Sequence, residues 1–355
     1  LPTKIVTVLT FLYTGRKKSL FLCTFAVYKK DNNMDSSCTC GRPVPDESLK
    51  AEILRLKKEK KAIILAHYYV DGAIQDLADY VGDSLALAQK AAGAAQDARL
   101  IVMCGVNFMG DTVKVLCPDK KVLVPDDAAG CSLADSCPAD EFEAFIKEHP
   151  GYTVISYVNT SLGVKALTDV LVTSGNARKI VESFPQNAKI IFGPDRNLGS
   201  YINSVTGRAM LLWDGACHVH QRFSAEGIAR LKESHPHAPV LVHPECPRPV
   251  VLLADAVGST AVLLKYALES PAQEFIVATE SGILHQMRKG APDKTFIPAP
   301  SEDSTCGCND CAYMKLNTLA KLRDCLRDET PEVTVDPELA ERALRPINRM
   351  LELSK

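Results

Sequence analysis

Five cysteines stand where their chemistry could matter: Cys131 in AGCSL, Cys217 in GACHVH, and Cys306, Cys308 and Cys311 in TCGCNDCAYMK. The last three fall within six residues of one another, close enough for a disulfide, part of a zinc site, a redox pair, or part of a centre that also draws thiols from elsewhere. Cys131 and Cys217 are about 90 residues apart, and the third group lies about as far again. Units of that size packed about an axis would bring one thiolate from each to a common point. Disulfides pair thiols in twos, so three leave one over. A structural zinc site wants four ligands, often as two close pairs, and only one such pair is present. The alternative thiolate-rich centre is an iron–sulfur cluster. A four-iron cubane normally takes one cysteine per iron, so with three it keeps one iron open to bind and polarise a substrate oxygen or nitrogen.

Such a meeting requires elements that repeat, and from Lys61 the chain does repeat. The first copy reads AIILAHYY, LADYVGDSLALAQKAA, ARLIVMCG and KKVLVPDDAAGC; the second reads TVISYVNT, TDVLVTSGNARKIVESF, AKIIFGPD and RAMLLWDGAC. The third reads PVLVHPEC, ADAVGSTAVLLKYAL, EFIVATES and KTFIPAPSEDSTCGCNDC. Short Val- and Ile-rich runs alternating with stretches of helical period are the pattern of a parallel sheet with helices on both faces. Four strands per copy are expected. The predicted fold is α/β: three homologous three-layer αβα domains with parallel sheets around a pseudo-threefold axis, their ligand-binding edges facing one cavity. The expected boundaries are 47–131, 132–217 and 218–325. Residues 326–355 follow as a helical tail, with Pro337 near the start of an amphipathic helix that packs on the outside.

After the first strand of each copy stand polar residues: His67, Tyr68 and Tyr69, then Tyr157 and Asn159, then His243 and Glu245. One histidine at a strand end is ordinarily structural; three equivalent strand ends that all carry such groups point to a site. The second strand of each copy runs through GDS, TSGN or GST into a helix, which puts Ser84, Ser174, Ser259 and Thr260 at N-cap positions. Capping alone would account for them. Free N–H groups, a hydroxyl and the positive end of a helix dipole also make an anion seat, and three seats on one cavity suit a ligand bearing carboxylates or a phosphate.

Composition narrows the class. With 46% hydrophobic residues the chain can bury a large core, and a formal charge of −2 leaves no general basic surface for nucleic acid or membranes. Thirteen cysteines are scattered through apolar segments, which fits buried thiols and metal ligands better than a disulfide scaffold. The apolar runs before Met34 are shorter than the roughly 18 residues of a spanning helix and fit a signal peptide poorly. Residues 1–33 are therefore expected to lie outside the fold as a spurious upstream extension, and 35–46 to form a flexible lead-in, within a cytoplasmic protein.

AHYYVDGAIQDLADYVGDS, CGVNFMGDTVKVL, YVNT, VTSGNA, FGPDRNLG, WDGACHVH, HPEC, VGST and CAYMKLN, in this order from about Lys61 to Asp324, resemble the A-type quinolinate synthase family. The resemblance implies one [4Fe–4S] cluster per chain. It also implies condensation of iminoaspartate with dihydroxyacetone phosphate to quinolinate, phosphate and water, on the de novo route to NAD. Carried over by motif, the cluster ligands are Cys131, Cys217 and Cys311. The substrate contacts are His67, Tyr69, Ser84, Tyr157, Asn159, Ser174, His220, His243, Glu245, Ser259 and Thr260. Glu245, with Tyr69, Tyr157 and His243 around it, is expected to handle the proton transfers. Iminoaspartate would be supplied by an L-aspartate oxidase or dehydrogenase, with no nucleic-acid or membrane partner.

In some members of this family extra cysteines beside the ligand form a reversible disulfide. There the spacing is C-x-x-C-x-x-C, and here the gap from Cys306 to Cys308 is one residue shorter, so surface thiols without a role are an equal expectation for these two. Cys104, Cys117, Cys137 and Cys246 read as packing thiols. A hydro-lyase with an open-iron cubane, a cluster-bearing sensor and a zinc-bearing structural protein are the rival classes.

Overall fold

The computed structural model describes residues 47–94, 98–302 and 309–355. The expectations for residues 1–46 and for Cys306 and Cys308 lie outside the described residues. The strands are β1 (Ala62–His67), β2 (Tyr80–Gly82), β3 (Leu100–Cys104), β4 (Lys121–Leu123), β5 (Thr153–Tyr157), β6 (Val170–Val172), β7 (Ile190–Gly193), β8 (Leu211–Leu212), β9 (Val240–Val242), β10 (Ala256–Val257), β11 (Glu274–Ala278) and β12 (Thr295–Pro298). They form three sheets ordered β2-β1-β3-β4, β6-β5-β7-β8 and β10-β9-β11-β12. Every strand pairing is parallel. Helices on the faces explain why β3 and β7 are buried at every position and why these strands read as unbroken apolar runs. The chain is thus an α/β protein of three αβα units, each with the same strand order.

A local device recurs with the same spacing in all three. Asp79, Asp169 and Asp255 each stand fifteen residues after a first-strand residue and accept its backbone N–H at 2.8 Å: from Ile64, Val154 and Val240 respectively. The N–H of each aspartate returns a bond to the carbonyl of the same residue, at 2.9–3.0 Å. This closed pair locks the start of the second strand beside the first. Removing the carboxylate leaves a strand N–H without a partner, so Asp169→Ala is expected to lower stability by about 1–3 kcal/mol. A shift of the urea midpoint with an unchanged slope reads this out; an unchanged midpoint contradicts it.

The largest apolar core joins the first two copies and takes in Ala343, Ile347 and Met350 of the C-terminal helix Pro337–Leu353. The third copy has two apolar clusters, Val240, Val242 and Ile276 in one and Leu241, Phe275 and Val277 in the other. This is the alternation of a strand covered on both faces. The C-terminal helix is capped by Asp336, which accepts from Leu339 N at 2.9 Å, and Pro337 occupies its first turn. It packs against the helices Asn107–Leu116 and Leu162–Ala166 and against β6, because Ala343, Pro346, Ile347 and Met350 form a stripe that these neighbours bury. Among the described residues no helix is long and apolar enough to cross a membrane.

Candidate functional site

Order 2-1-3-4 places a switch point between the first and third strands of each sheet, where ligands of open α/β sheets bind beyond the carboxyl ends. Residues from all three such edges line one cavity, which contains about 710 Å³ of space counted out to its mouth. His67 and Tyr69 come from the end of β1, Tyr157 and Asn159 from β5, and His243 and Glu245 from just past β9.

Cys131, Cys217 and Cys311, one from the close of each copy, line the same cavity. All three are unpaired, as is every described cysteine. Cys131 lies within electrostatic reach of both Cys311 and Cys217. Burial pushes the Cys131 thiol up to about 12 and raises the other two as well, so these sulfurs carry negative charge only when a cation shares the cavity. Three half-buried thiols converging on one space suit a soft, multi-iron centre. Cys104, Cys117, Cys137, Cys246 and Cys325 are buried elsewhere in the cores.

The polar groups form a connected network. Glu245 Oε1 accepts from the Tyr157 hydroxyl at 2.5 Å, and Oε2 lies 2.9 Å from His220 Nδ1. His220 Nε2 is 3.0 Å from Thr279 Oγ1, and Thr279 Oγ1 in turn is 2.9 Å from the Tyr69 hydroxyl. Tyr69 also meets Thr260 Oγ1 at 2.8 Å. Burial alone would raise the Glu245 carboxyl, but His220, His243 and the Tyr157 hydroxyl outweigh it and hold it below the ordinary carboxylate range. Tyr157 and Tyr69 are pushed up by burial and by the Glu245 charge, so both stay protonated.

His67 and His243 occupy equivalent positions and share a local turn. The Nδ1 of each faces the backbone N–H two residues on, Tyr69 at 3.2 Å and Glu245 at 3.4 Å. Burial holds both rings neutral, down at about 3. An Nδ1 that accepts fixes the remaining proton on Nε2, and His243 Nε2 lies 3.2 Å from Ser174 Oγ. The site therefore presents neutral N–H donors. His220 and His243 are stacked, with ring centroids 4.4 Å apart.

The helix starts differ in detail from the sequence-based expectation. Asp83, not Ser84, caps the first-copy helix by accepting from Ala86 N at 3.0 Å, and Ser84 is its first residue. In the third copy Ser259 is the cap, accepting from Val262 N at 3.4 Å, and Thr260 follows as the first helical residue. In the second copy the TSGN turn closes through Thr173 N onto Asn176 Oδ1 at 2.6 Å. This leaves Ser174 free to face His243. The repeat is thus a pair: Asp83, Thr173 and Ser259 shape the turn and Ser84, Ser174 and Thr260 follow them, and of the six only Ser259 does not line the cavity. Ser259, expected as a contact, is not among the lining residues; its hydroxyl accepts from Val262 N as the cap and bonds the Asp83 carboxylate. Asn159 lines the cavity with a buried Oδ1 that has no hydrogen-bond partner, a cost that a ligand N–H or O–H would remove.

Three residues that matter were not singled out in the sequence: Asp195, Thr279 and Glu280, at the ends of β7 and β11. All are buried. The signal was present, since the third strands end in FGPD and ATES as the first strands end in polar residues, but a carboxylate after a strand reads as an exposed turn until burial is known.

Residues 51–352 match the family model described as Quinolinate synthetase A protein. Curated relatives include the quinolinate synthase of Synechococcus sp., 54% identical over 88% of this chain and 98% of the relative. That of Thermosynechococcus vestitus is 54% identical over 88% and 97%. The quinolinate synthase of Chloroherpeton thalassium is 53% identical over 86% and 94%. With the match covering all three αβα units and every residue of the shared cavity, the chain belongs to the quinolinate synthase A family of enzymes.

Proposed function

We propose that the protein condenses iminoaspartate with dihydroxyacetone phosphate to give quinolinate, phosphate and water, in the cytoplasm and on the route to NAD. The observation that carries this reading is the convergence of one unpaired thiol from each copy on a cavity that also holds neutral N–H and hydroxyl donors. Cys131, Cys217 and Cys311 would hold a [4Fe–4S] cluster, which when bound supplies one iron without a protein ligand as a Lewis acid.

The protein's own groups divide the remaining work. Ser84 and Thr260 sit at the first positions of helices of eleven and ten residues, where hydroxyl, free N–H groups and helix dipole together attract a phosphate or carboxylate. His67 and His243, neutral and protonated at Nε2, donate to substrate oxygens without adding charge. Ser174 and the unsatisfied Asn159 amide orient the ligand on the second-copy side. Glu245 is ionised and shares a short hydrogen bond with Tyr157, so it takes a proton from substrate carbon or nitrogen while Tyr157 and Tyr69 return protons to oxygen. Each well-placed transfer of this kind contributes roughly 10²–10⁴-fold. Iminoaspartate would come from an L-aspartate oxidase or dehydrogenase.

A second reading rests on a specific cluster. The donor atoms of Cys217, His220 and Glu245 all lie within 4.8 Å of one another, a set that a single zinc ion would accept. Against it, both ring nitrogens of His220 are already engaged, by Glu245 and Thr279. Anaerobic purification followed by assay separates the two. A brown protein absorbing broadly near 400 nm that forms quinolinate from the two substrates supports the proposal; a colourless protein with stoichiometric zinc and no quinolinate refutes it.

A further inference from the structure

Two of the three thiol-bearing residues are gripped in the same way. Asp195, at the end of the second copy's third strand, is wholly buried; its Oδ2 accepts from Cys217 N at 3.1 Å, and its Oδ1 accepts from Leu198 N at 2.7 Å as a helix cap. Glu280, at the end of the third copy's third strand, is also wholly buried. Its Oε1 accepts from Cys311 N at 3.1 Å, and its Oε2 accepts from Gly282 N at 2.7 Å. Carboxylates are rarely taken fully out of water without such compensation. Neither side chain is accounted for by the apolar cores.

The two clamps are tied into the rest of the site. Arg196 N donates to Gly215 O at 2.8 Å, which holds the segment leading to Cys217 against the end of β7. Glu280 Oε1 lies 3.2 Å from Lys315 Nζ, and that ammonium donates to Tyr69 O at 2.8 Å. One chain of contacts therefore runs from the backbone of Cys311 through Glu280 and Lys315 to the backbone of Tyr69, a residue of the first copy. Gly282 closes the same seam. A Cβ there would come within 2.7 Å of Tyr68 O and 2.8 Å of Tyr69 Cα, so the third copy's turn and the first copy's strand end touch backbone to backbone.

We infer that Asp195 and Glu280 are equivalent positioning residues that fix the main chain at Cys217 and Cys311, and so aim those two sulfurs into the cavity, with Lys315 coupling the second clamp to Tyr69. The inference rests on the cysteine assignment of the proposed function. It extends that assignment by naming the groups behind the ligands, whose loss typically costs ten- to a hundredfold in metal affinity or activity. Cys131 has no such carboxylate among its described hydrogen bonds, which provides an internal control.

The test uses the full chain and four variants: Asp195→Asn, which keeps one oxygen for the Leu198 cap, Glu280→Gln, Lys315→Met and Lys315→Arg. In cluster-free protein, alkylation of each cysteine by iodoacetamide is followed by mass spectrometry. Asp195→Asn is expected to speed modification of Cys217 severalfold and leave Cys311 unchanged. Glu280→Gln and Lys315→Met are expected to do the reverse, with Cys131 unmoved in all and Lys315→Arg close to wild type. In anaerobically reconstituted protein, loss of absorbance near 400 nm to an iron chelator should be about tenfold faster in the first three variants. Equal changes at Cys217 and Cys311 in every variant would indicate general loosening and overturn the inference, as would rates matching wild type. A wild-type chain that takes up no cluster counts against the proposed function, while the alkylation pattern still decides the positioning roles.

Discussion

Glu245→Gln is expected to reduce quinolinate formation by about 10²–10⁴-fold, the range removed with a positioned acid–base group, while iron content and colour stay at wild-type levels. The geometry explains why the substitution should spare the fold. An amide can accept from the Tyr157 hydroxyl with its oxygen and donate to His220 Nδ1 with its nitrogen, provided His220 then carries its proton on Nε2. That nitrogen faces Thr279 Oγ1 at 3.0 Å, which can accept it. The network survives with its proton order reversed, and what disappears is the carboxylate held between Tyr157 and His220 to take a proton from substrate. The loss should therefore fall on kcat, with KM changing far less. Near-normal turnover would remove the assignment.

Cys217→Ala should abolish colour and turnover together. Cys217 is one of only three thiols that the described residues bring to the cavity, so its removal would leave two thiols to hold the proposed cluster. Cys137→Ala is the matched control: that thiol is buried in the cluster around Phe142 and Ile191, away from the cavity, and its removal should leave both properties intact. A brown, inactive Cys217→Ala protein would make the residue catalytic rather than a ligand. A brown and active one would remove it from the site.

Much of this arrangement is readable from the chain because it is written three times. A lone Asp79 or a lone Ser84 carries little information, but a polar pair after the first strand and a hydroxyl at the start of the next helix, repeated at matching places, fix a common edge and a common centre. The repeat also points one thiol from each copy to one place, Cys131, Cys217 and one of the group Cys306, Cys308 and Cys311, and the family resemblance selects Cys311 within that group. What it could not reveal is which residue of each turn does which task. Asp83 and Ser259 cap while Ser84 and Thr260 face the cavity, a difference of one residue decided by where the helix's first free N–H groups fall. Asp195 and Glu280 were missed for another reason. Their role depends on burial beneath segments that arrive more than twenty residues later, at Cys217 and Cys311, and local sequence carries no trace of that. The C-terminal helix was legible as an amphipathic element, but the groove between the first two copies that receives it is a tertiary feature.

The central claim is that sulfurs from three duplicated units grip one iron–sulfur cube and leave a corner bare. Mössbauer spectroscopy of protein reconstituted with ⁵⁷Fe tests this most directly. A cluster held by three cysteines should show thiolate-ligated and distinct iron in a ratio of about three to one, and addition of substrate should shift the minority signal alone. Four equivalent irons, or a spectrum that substrate leaves unchanged, would contradict the account.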